Sequence, residues 1–486
     1  MNFTDRYELV VGLEIHVQLS TKSKLFSGDT NSYNACPNEN VGVITAAHPG
    51  TLPRLNKNVI EQAVRVGIVF NCEIASEFSF DRKNYFYPDL PKGYQLTQDQ
   101  NPICKNGSIL IRKNGIEKSV GLFKIHLEED AGKSIHSHDP HCSSVDFNRA
   151  GIPLIEIVTK PEIYSSEDAV KVLAEVRRTV RYLAVSDGDM EKGSIRCDAN
   201  ISVRPKGQKK LGKKVEIKNM NSLKNVSRAI DFEWHRQTKR LENGFHIVSE
   251  TRTFDAEKGV TYGMRTKEEL NDYRYFPDPD LSFITIDNGQ LDKILKSIKV
   301  TPQKAYKCLV DDYSLPPNHA EVIVESPSLA EYSLRLLSKS GNRRSTGNWI
   351  IGPVKSYLNS KGININQFPI PDDKLLELID LVDKGKVSYT AASQQVFKYL
   401  IQYSDEDVVQ VIKKLDLMQE GDEDLMRTMV EELLYEMPEK VKSYKNGKKG
   451  LLGMFMGRLM KKNNGKLDPK KVNKLLQESL EKFKIT

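Results

Sequence analysis

Between Leu9 and Leu19 the chain reads LVVGLEIHVQL, an alternation strict enough to set its conformation. Successive side chains of an extended strand point to opposite faces. Leu13, Ile15, Val17 and Leu19 therefore share one face, and Glu14, His16 and Gln18 share the other. An acid, an imidazole and an amide held side by side make a row of oxygen and nitrogen donors, as a metal or phosphate site requires. A half-solvated strand with a polar outer face gives the same pattern, so one strand leaves both readings open. Gln18 fits a structural role.

Four further segments carry the pattern. In LFKIHLEED (122–130), Lys124, His126, Glu128 and Asp130 share a face, while Glu129 falls with Phe123, Ile125 and Leu127. In IPLIEIV, Glu156 is a lone acid within an apolar run, where a carboxylate needs a proton or a neighbouring cation. In SIRCDANISVR, Ser194, Arg196, Asp198, Asn200, Ser202 and Arg204 stand opposite Ile195, Cys197, Ala199, Ile201 and Val203. KVEIKNMN (214–221) adds Glu216, Lys218 and Asn219. Acids alone suggest a metal; acids interleaved with Arg and Lys suggest Mg²⁺ with polyphosphate. The expectation is one sheet lining one cleft, against a set of unrelated exposed strands.

A chain of 486 residues exceeds the size at which single cores stop growing, so two or three domains are expected. It has no long apolar run, which predicts no transmembrane helix. MNFTDRYELV runs straight into the first strand without a signal-like leader. Six scattered cysteines (36, 72, 104, 142, 197 and 308) include no CxxC, which points to a reduced, cytoplasmic protein without a cysteine zinc site. From Glu439 to the end, 14 Lys/Arg stand against 4 acids, a net +10, which leaves about −3 on the remainder. A basic tail on a near-neutral body suggests a nucleic-acid-binding arm. A solvated helical face is the alternative.

The pattern periods divide the chain as an α+β fold. Residues 1–292 are strand-rich, with helices starting at the Ser165 cap and at Ser222, and a last strand expected in LSFITI. Residues 293–402 read as helices over 303–311, 319–325, 329–340, 348–360 and 374–384. Residues 403–486 open on SDEDVVQVIKKL and continue as short amphipathic helices, including GLLGMFMGRLM and PKKVNKLLQESLEKF.

VGLEIHVQL, FDRKNYFYPDLPKGYQ, HLEEDAGKSIH, NRAGIPLIEIV, GSIRCDANISVRP, VEIKNMNS and NDYRYFPDPDL, in this order, resemble the GatB family, whose members are parts of the aspartyl/glutamyl-tRNA amidotransferases. The resemblance covers essentially the whole chain. It implies a glutamine-synthetase-like cradle, then a helical domain and a YqeY-like tail. It also implies that ATP phosphorylates the side-chain carboxylate of Asp or Glu mischarged onto tRNA(Asn) or tRNA(Gln). Ammonia released from glutamine by an amidase partner (GatA), in a complex with a small third component (GatC), would displace the phosphate.

The residues matching the family's metal positions are Glu14, His16, Glu128, Glu129 and Glu156; Asp198 joins them from the polar strand face. Lys83, Lys92, Arg149, Arg196, Arg204 and Lys218 are the cations matched to phosphate and acyl-phosphate charge, with Glu216 and Asn219 beside them. Glu129, Lys83 and Arg196 are assigned to catalysis. Tyr85, Tyr87 and Tyr94 are expected to wall the pocket or an ammonia path, with Lys83 or Glu129 as its gate. A packing role is expected for Asn271, Asp272, Tyr273, Arg274, Tyr275 and Phe276. Lys448, Lys449, Arg458, Lys461, Lys462, Lys470 and Lys471 are the tail cations assigned to tRNA.

Many family members carry four early cysteines that hold zinc. The matching positions here are Ser27, Asp29, Gly42 and Thr45, which offer no thiolate, so no zinc is expected and packing should hold the loop. The spacing of His136, His138, His141 and Cys142 is metal-like, but its texture suggests a hairpin loop. Two other functions compete: a stand-alone carboxylate–amine ligase using free ammonia, and a non-catalytic tRNA-binding adaptor. Nothing in the chain looks like a glutaminase.

Overall fold

The structure, a computed structural model, describes residues 6–113, 115–136, 142–266, 273–419, 423–462 and 469–482. His138, His141, Asn271 and Asp272 lie outside these. The chain forms two units, Met1–Lys304 and Ala305–Thr486.

The first unit opens with β1 (Tyr7–Gln18), α1 (Lys57–Val69), β2 (Glu73–Ile74), β3 (Glu77–Phe78), β4 (Asp81–Asn84), β5 (Tyr94–Thr97) and β6 (Cys104–Lys105). There follow β7 (Ser108–Lys113), β8 (Ile116–Glu129), β9 (Lys133–His136), β10 (Ser143–Asp146), β11 (Pro153–Thr159) and α2 (Ser166–Tyr182). It ends with β12 (Ile195–Pro205), β13 (Val215–Lys218), α3 (Leu223–Glu242), β14 (Glu250–Asp255), β15 (Val260–Thr266), β16 (Arg274–Pro277), β17 (Ile284–Thr285) and α4 (Asn288–Ser297).

One large sheet runs β15-β14-β13-β12-β1-β11-β8-β6-β2, with β7 also paired to β8. The five polar-faced segments are thus contiguous neighbours, β13 through β8. Their apolar faces bury Leu13, Ile15, Val17, Ile125, Leu127, Ile155, Ile157, Cys197, Ala199 and Ile201. Val59, Ala63 and Val66 of α1, Val172, Val176 and Val180 of α2, and Val226, Ala229 and Ile230 of α3 join this core. Side-chain caps start those helices: Asn56 accepts from Asn58 N, Ser165 from Asp168 N and Ser222 from Asn225 N. Helices cover one face of the sheet, and the polar face is left for the site. A second sheet, β16-β4-β5, supplies the wall beyond it.

Two local expectations change. LSFITI forms only the two-residue strand β17 against β3, with Phe283 exposed, because its one partner strand is itself two residues long. The loop expected to rest on packing is held instead by hydrogen bonds among Ser27, Asp29, Gly42 and Thr45. The Asp29 carboxylate accepts from Gly42 N at 2.9 Å and from the Thr45 hydroxyl. The Ser27 hydroxyl lies 3.2 Å from that of Thr45 and accepts from Asp29 N at 3.3 Å. His136 pairs with Ser143 where β9 and β10 run antiparallel, and the residues between these strands lie outside the described ones.

The second unit is helical. Where one helix over 348–360 is expected, Arg343–Trp349 passes through a π turn, Ile350–Val354, into Lys355–Lys361. Pro353 lies inside that turn, where its missing N–H and its ring disrupt the regular ladder. Helices Glu423–Glu436, Pro438–Lys445, Leu451–Lys462 and Pro469–Lys482 share one apolar cluster, from Met426 and Val430 through Phe455 and Leu459 to Leu476 and Leu480. Among the described residues no helix is long and apolar enough to cross a membrane.

Candidate active site

Strand register assembles the site. His126 on β8 pairs with Glu156 on β11, Glu156 with His16 on β1, and His16 with Arg196 on β12. Directly opposed residues stand close together on one face of a sheet, so this row is continuous. His16 Nε2 lies 3.2 Å from Glu128 Oε1 and 3.5 Å from Glu156 Oε2, and His126 Nε2 is 3.2 Å from Glu156 Oε2. One donor atom from each of His16, Glu128 and Glu156 falls within 4.8 Å of the others, close enough to share one cation. Burial by itself lowers the His16 pKa, but the hydrogen bonds and charges of Glu128 and Glu156 outweigh it and hold the imidazole well above its usual range. Burial pushes Glu156 up, and the two imidazoles, His126 foremost, bring it well below. His126 Nδ1 is buried with no partner among the described residues.

A second row lies alongside. Glu14 pairs with Asp198 across β1 and β12, and the Lys218 ammonium on β13 sits 2.6 Å from Asp198 and 3.0 Å from Glu216. Burial and the nearby Glu156 charge raise the Glu14 pKa despite a 2.7 Å bond from the Asn200 amide. Burial alone lowers Lys218, but its two carboxylates lift it above the ordinary lysine range. Thr251 donates to Glu216 at 2.8 Å, and Asn219, at φ 67°, donates to Thr253 Oγ1 at 2.8 Å.

These rows floor a cleft of about 980 Å³. The second sheet lines it with Lys83, Gln95, Thr97 and Tyr275, and with Tyr85 and Tyr273 just outside its strands. Lys83 Nζ lies 4.7 Å from the Tyr273 ring centroid and 5.6 Å from that of Tyr85, and makes no ion pair among the described residues. Tyr273 and Tyr275, expected to pack, face the cleft instead, because pairing of β16 with β4 carries them onto its wall. Arg149 lines the same cleft and donates to the Ala131 and Gly132 carbonyls at 3.0 and 2.7 Å.

Other expected residues stand elsewhere. Glu129 does not join the cluster, since the strand's period of two turns it away from Glu128. Its carboxylate pairs with Lys92 and accepts from Leu96 N at 2.9 Å. Both residues line a small separate cavity of about 20 Å³ with Tyr94 and with Lys24, which sequence reasoning misses. Burial pulls Lys24 down to about 8, against the charges of Asp29, Asp146 and Glu129. Arg204 pairs with Glu8 at 2.5 Å and gives its other bond to the Lys209 carbonyl, outside the cleft. Tyr87 is exposed and packs edge-on to Tyr85. Gln18 donates to Asp130 at 3.1 Å. In the sequence His126 and Asp130 fall on the polar strand face without a role; register, which the sequence leaves open, gives them partners.

In the second unit Lys448, Lys449, Arg458, Lys461, Lys462 and Lys471 are exposed, and Lys470 lies in the first turn of Pro469–Lys482. Lys449 lies over the Tyr444 ring at 4.5 Å, and Lys462 pairs with Glu436 at 3.0 Å.

Residues 9–292 match a family model described as the GatB/GatE catalytic domain, and residues 332–480 one described as the GatB domain. A protein of Caldicellulosiruptor bescii is 42% identical over 98% of this chain and 100% of its own length. One of Persephonella marina is 44% identical over 98% and 99%, and one of Thermodesulfovibrio yellowstonii 40% over 97% and 98%. Each carries the name of the GatB component of an aspartyl/glutamyl-tRNA(Asn/Gln) amidotransferase.

Proposed function

The chain belongs to the GatB family of the aspartyl/glutamyl-tRNA(Asn/Gln) amidotransferases, and on that premise we propose that its sheet-face cleft activates a tRNA-borne carboxylate for amidation. It is thus one component of a glutamine-hydrolysing tRNA amidotransferase, a ligase of protein biosynthesis. The substrates in this reading are Asp-tRNA(Asn) and Glu-tRNA(Gln). A carboxylate is a poor electrophile because its oxygen leaves badly. ATP and Mg²⁺, when bound, supply the phosphoryl group and the charge neutralisation that make that oxygen a leaving group.

The observation that carries this reading is the donor set of His16, Glu128 and Glu156 beside the Arg196 guanidinium. Two carboxylates and an imidazole within 4.8 Å of one another fit a divalent cation. Those three residues would hold the metal. Asp198 and Glu216 flank the second cation position, at Lys218, with Glu14 opposite Asp198 across β1 and β12. Lys83, Arg149, Arg196 and Lys218, which line the cleft, face the charge on transferring oxygens.

The rest of the reading is consistent with this. The ammonia comes from an amidase partner, GatA, with GatC completing the complex, and Lys83 or Glu129 gates its path. The first unit is a glutamine-synthetase-like cradle, and the domains are 1–292, 293–402 and 403–486, the last supported by its own apolar cluster. The tail binds tRNA, the complex works in the cytoplasm, and no zinc is assigned to the loop that Asp29 ties together. The test is ATP-dependent amidation of each mischarged tRNA by the reconstituted complex carrying Glu156→Gln. Loss of amidation with tRNA affinity retained supports the reading, and full activity removes it. A chain that amidates at full rate with ammonium and no partner would instead be a stand-alone ligase.

A further inference from the structure

Arg196 is half-exposed in the cleft, and among the described residues one of its five N–H groups is committed, from Nη2 to Asp130 Oδ2 at 2.6 Å. Asp130 itself is buried. Its carboxylate also lies 3.5 Å from Arg149 Nε, accepts from Gln18 Nε2 at 3.1 Å and caps the Ala131 N–H at 3.0 Å. Arg149, the second guanidinium, is already fixed on the Ala131 and Gly132 carbonyls. Among the described residues, Asp130 is the one group that fixes where the Arg196 fork points. Two other carboxylates, Glu156 and Glu128, lie around His16, the residue directly opposite Arg196. An untethered guanidinium would be drawn to them, since a bidentate Arg–carboxylate pair is among the stronger contacts a protein makes. It would then neutralise the acids a cation needs.

We infer that Asp130 is a positioning residue: it holds Arg196 off the metal-binding acids and aims its free N–H groups at the terminal phosphate of a nucleotide. This rests on the ATP-dependent reading of the cleft. Four N–H groups without partners among the described residues, beside a cation site, suit a phosphoryl group, whose oxygens accept several donors at once. Gln18, from the opening strand, supports the same carboxylate.

The test is a double-mutant cycle on the full-length chain, titrated calorimetrically with Mg²⁺ and a non-hydrolysable ATP analogue (AMPPNP), and repeated as kcat and KM for ATP in the assembled complex. Arg196→Ala and Asp130→Asn are each expected to weaken AMPPNP affinity by about ten- to a hundredfold, the range for a charge-assisted contact. With Arg196→Ala already in place, Asp130→Asn should cost almost nothing further. Asp130→Glu keeps the charge and serves if the Asn variant fails to fold; its loss too should vanish in the Arg196→Ala background. Additive losses, or an Asp130 effect confined to melting temperature, overturn the inference while leaving the ATP reading intact. Absence of AMPPNP binding by the unaltered chain overturns both.

Discussion

His16 and Arg196 face each other across the pairing of β1 with β12, an imidazole of raised pKa beside a guanidinium. Two adjacent cationic groups repel unless each has its own counter-charge. Here Glu128 and Glu156 stand on one side of His16, and Asp130 holds Arg196 on the other. The row therefore runs from acids to a cation within one strand spacing, so a cation and the anion it carries could be gripped from opposite ends.

Glu156→Gln removes the charge between the two imidazoles. Glu128 still holds His16, so the fold should survive, and the His16 pKa should fall toward its ordinary value, read from its imidazole resonances against pH. Amidation should fall by about a hundredfold or more, since altering merely the surroundings of a metal ligand costs about 10- to 100-fold. An unchanged His16 titration would refute the pairing itself.

Glu129→Gln should act differently from Glu156→Gln. Glu129 is buried against Lys92 and Leu96 N, away from the cluster, so its loss strands a largely buried ammonium. Breaking such a pair costs about 3 kcal/mol, and replacing both partners by apolar residues costs less. Denaturant unfolding of Glu129→Gln and of a Lys92→Met/Glu129→Leu double variant measures both. Equal divalent-cation affinity in Glu129→Gln and the unaltered chain would establish that Glu129 is no ligand.

The period of two makes much of this legible. Leu13 through Val17 tell which face is core, and Glu128 and Glu129 fall on opposite faces by the same rule. Assigning both to one metal comes from resemblance and sets that rule aside. What the pattern does not contain is adjacency: nothing local in HLEED, LIEIV or LEIHV says that β8, β11 and β1 are neighbours in that order. Without it His126 and Asp130 have no partners to name. The Asp29 knot is illegible for a different reason, since its bonds join residues 13 and 16 positions apart through a loop without a period.

Asp29 makes the first unit acid-sensitive at that loop. Burial raises its pKa, but bonds from Thr45, Gly42 and Ser27 more than offset this and leave it depressed. A depressed carboxylate stabilises the fold at pH values above its unfolded pKa, about 3.9, and that stability is lost as the pH falls through the lower folded value. Asp29→Ala should destabilise by about 1.5–3 kcal/mol at neutral pH, with the gap closing under acid. Gly42→Ala, whose Cβ would overlap the Asp29 carboxylate, should mimic it. Melting curves from pH 7 to pH 2 test this, and a gap that stays constant with pH would rule out the ionised carboxylate as the cause.

Deleting residues 439–486 would be a poor test of the basic tail, because Met426, Val430, Leu433 and Leu434 bury against Val441, Phe455, Leu459 and Leu476 in one cluster. The cut would expose half a core, and any loss of binding would be ambiguous. Charge removal at exposed positions avoids this. Lys448→Gln, Lys461→Gln and Lys462→Gln together should leave the melting temperature nearly unchanged, as surface changes do. If all three contact phosphates, the slope of log affinity for tRNA against log salt should shallow by about 2–3, at roughly 0.7–0.9 per contact. An unchanged slope would make these lysines a solvated helical face and move tRNA recognition elsewhere in the chain.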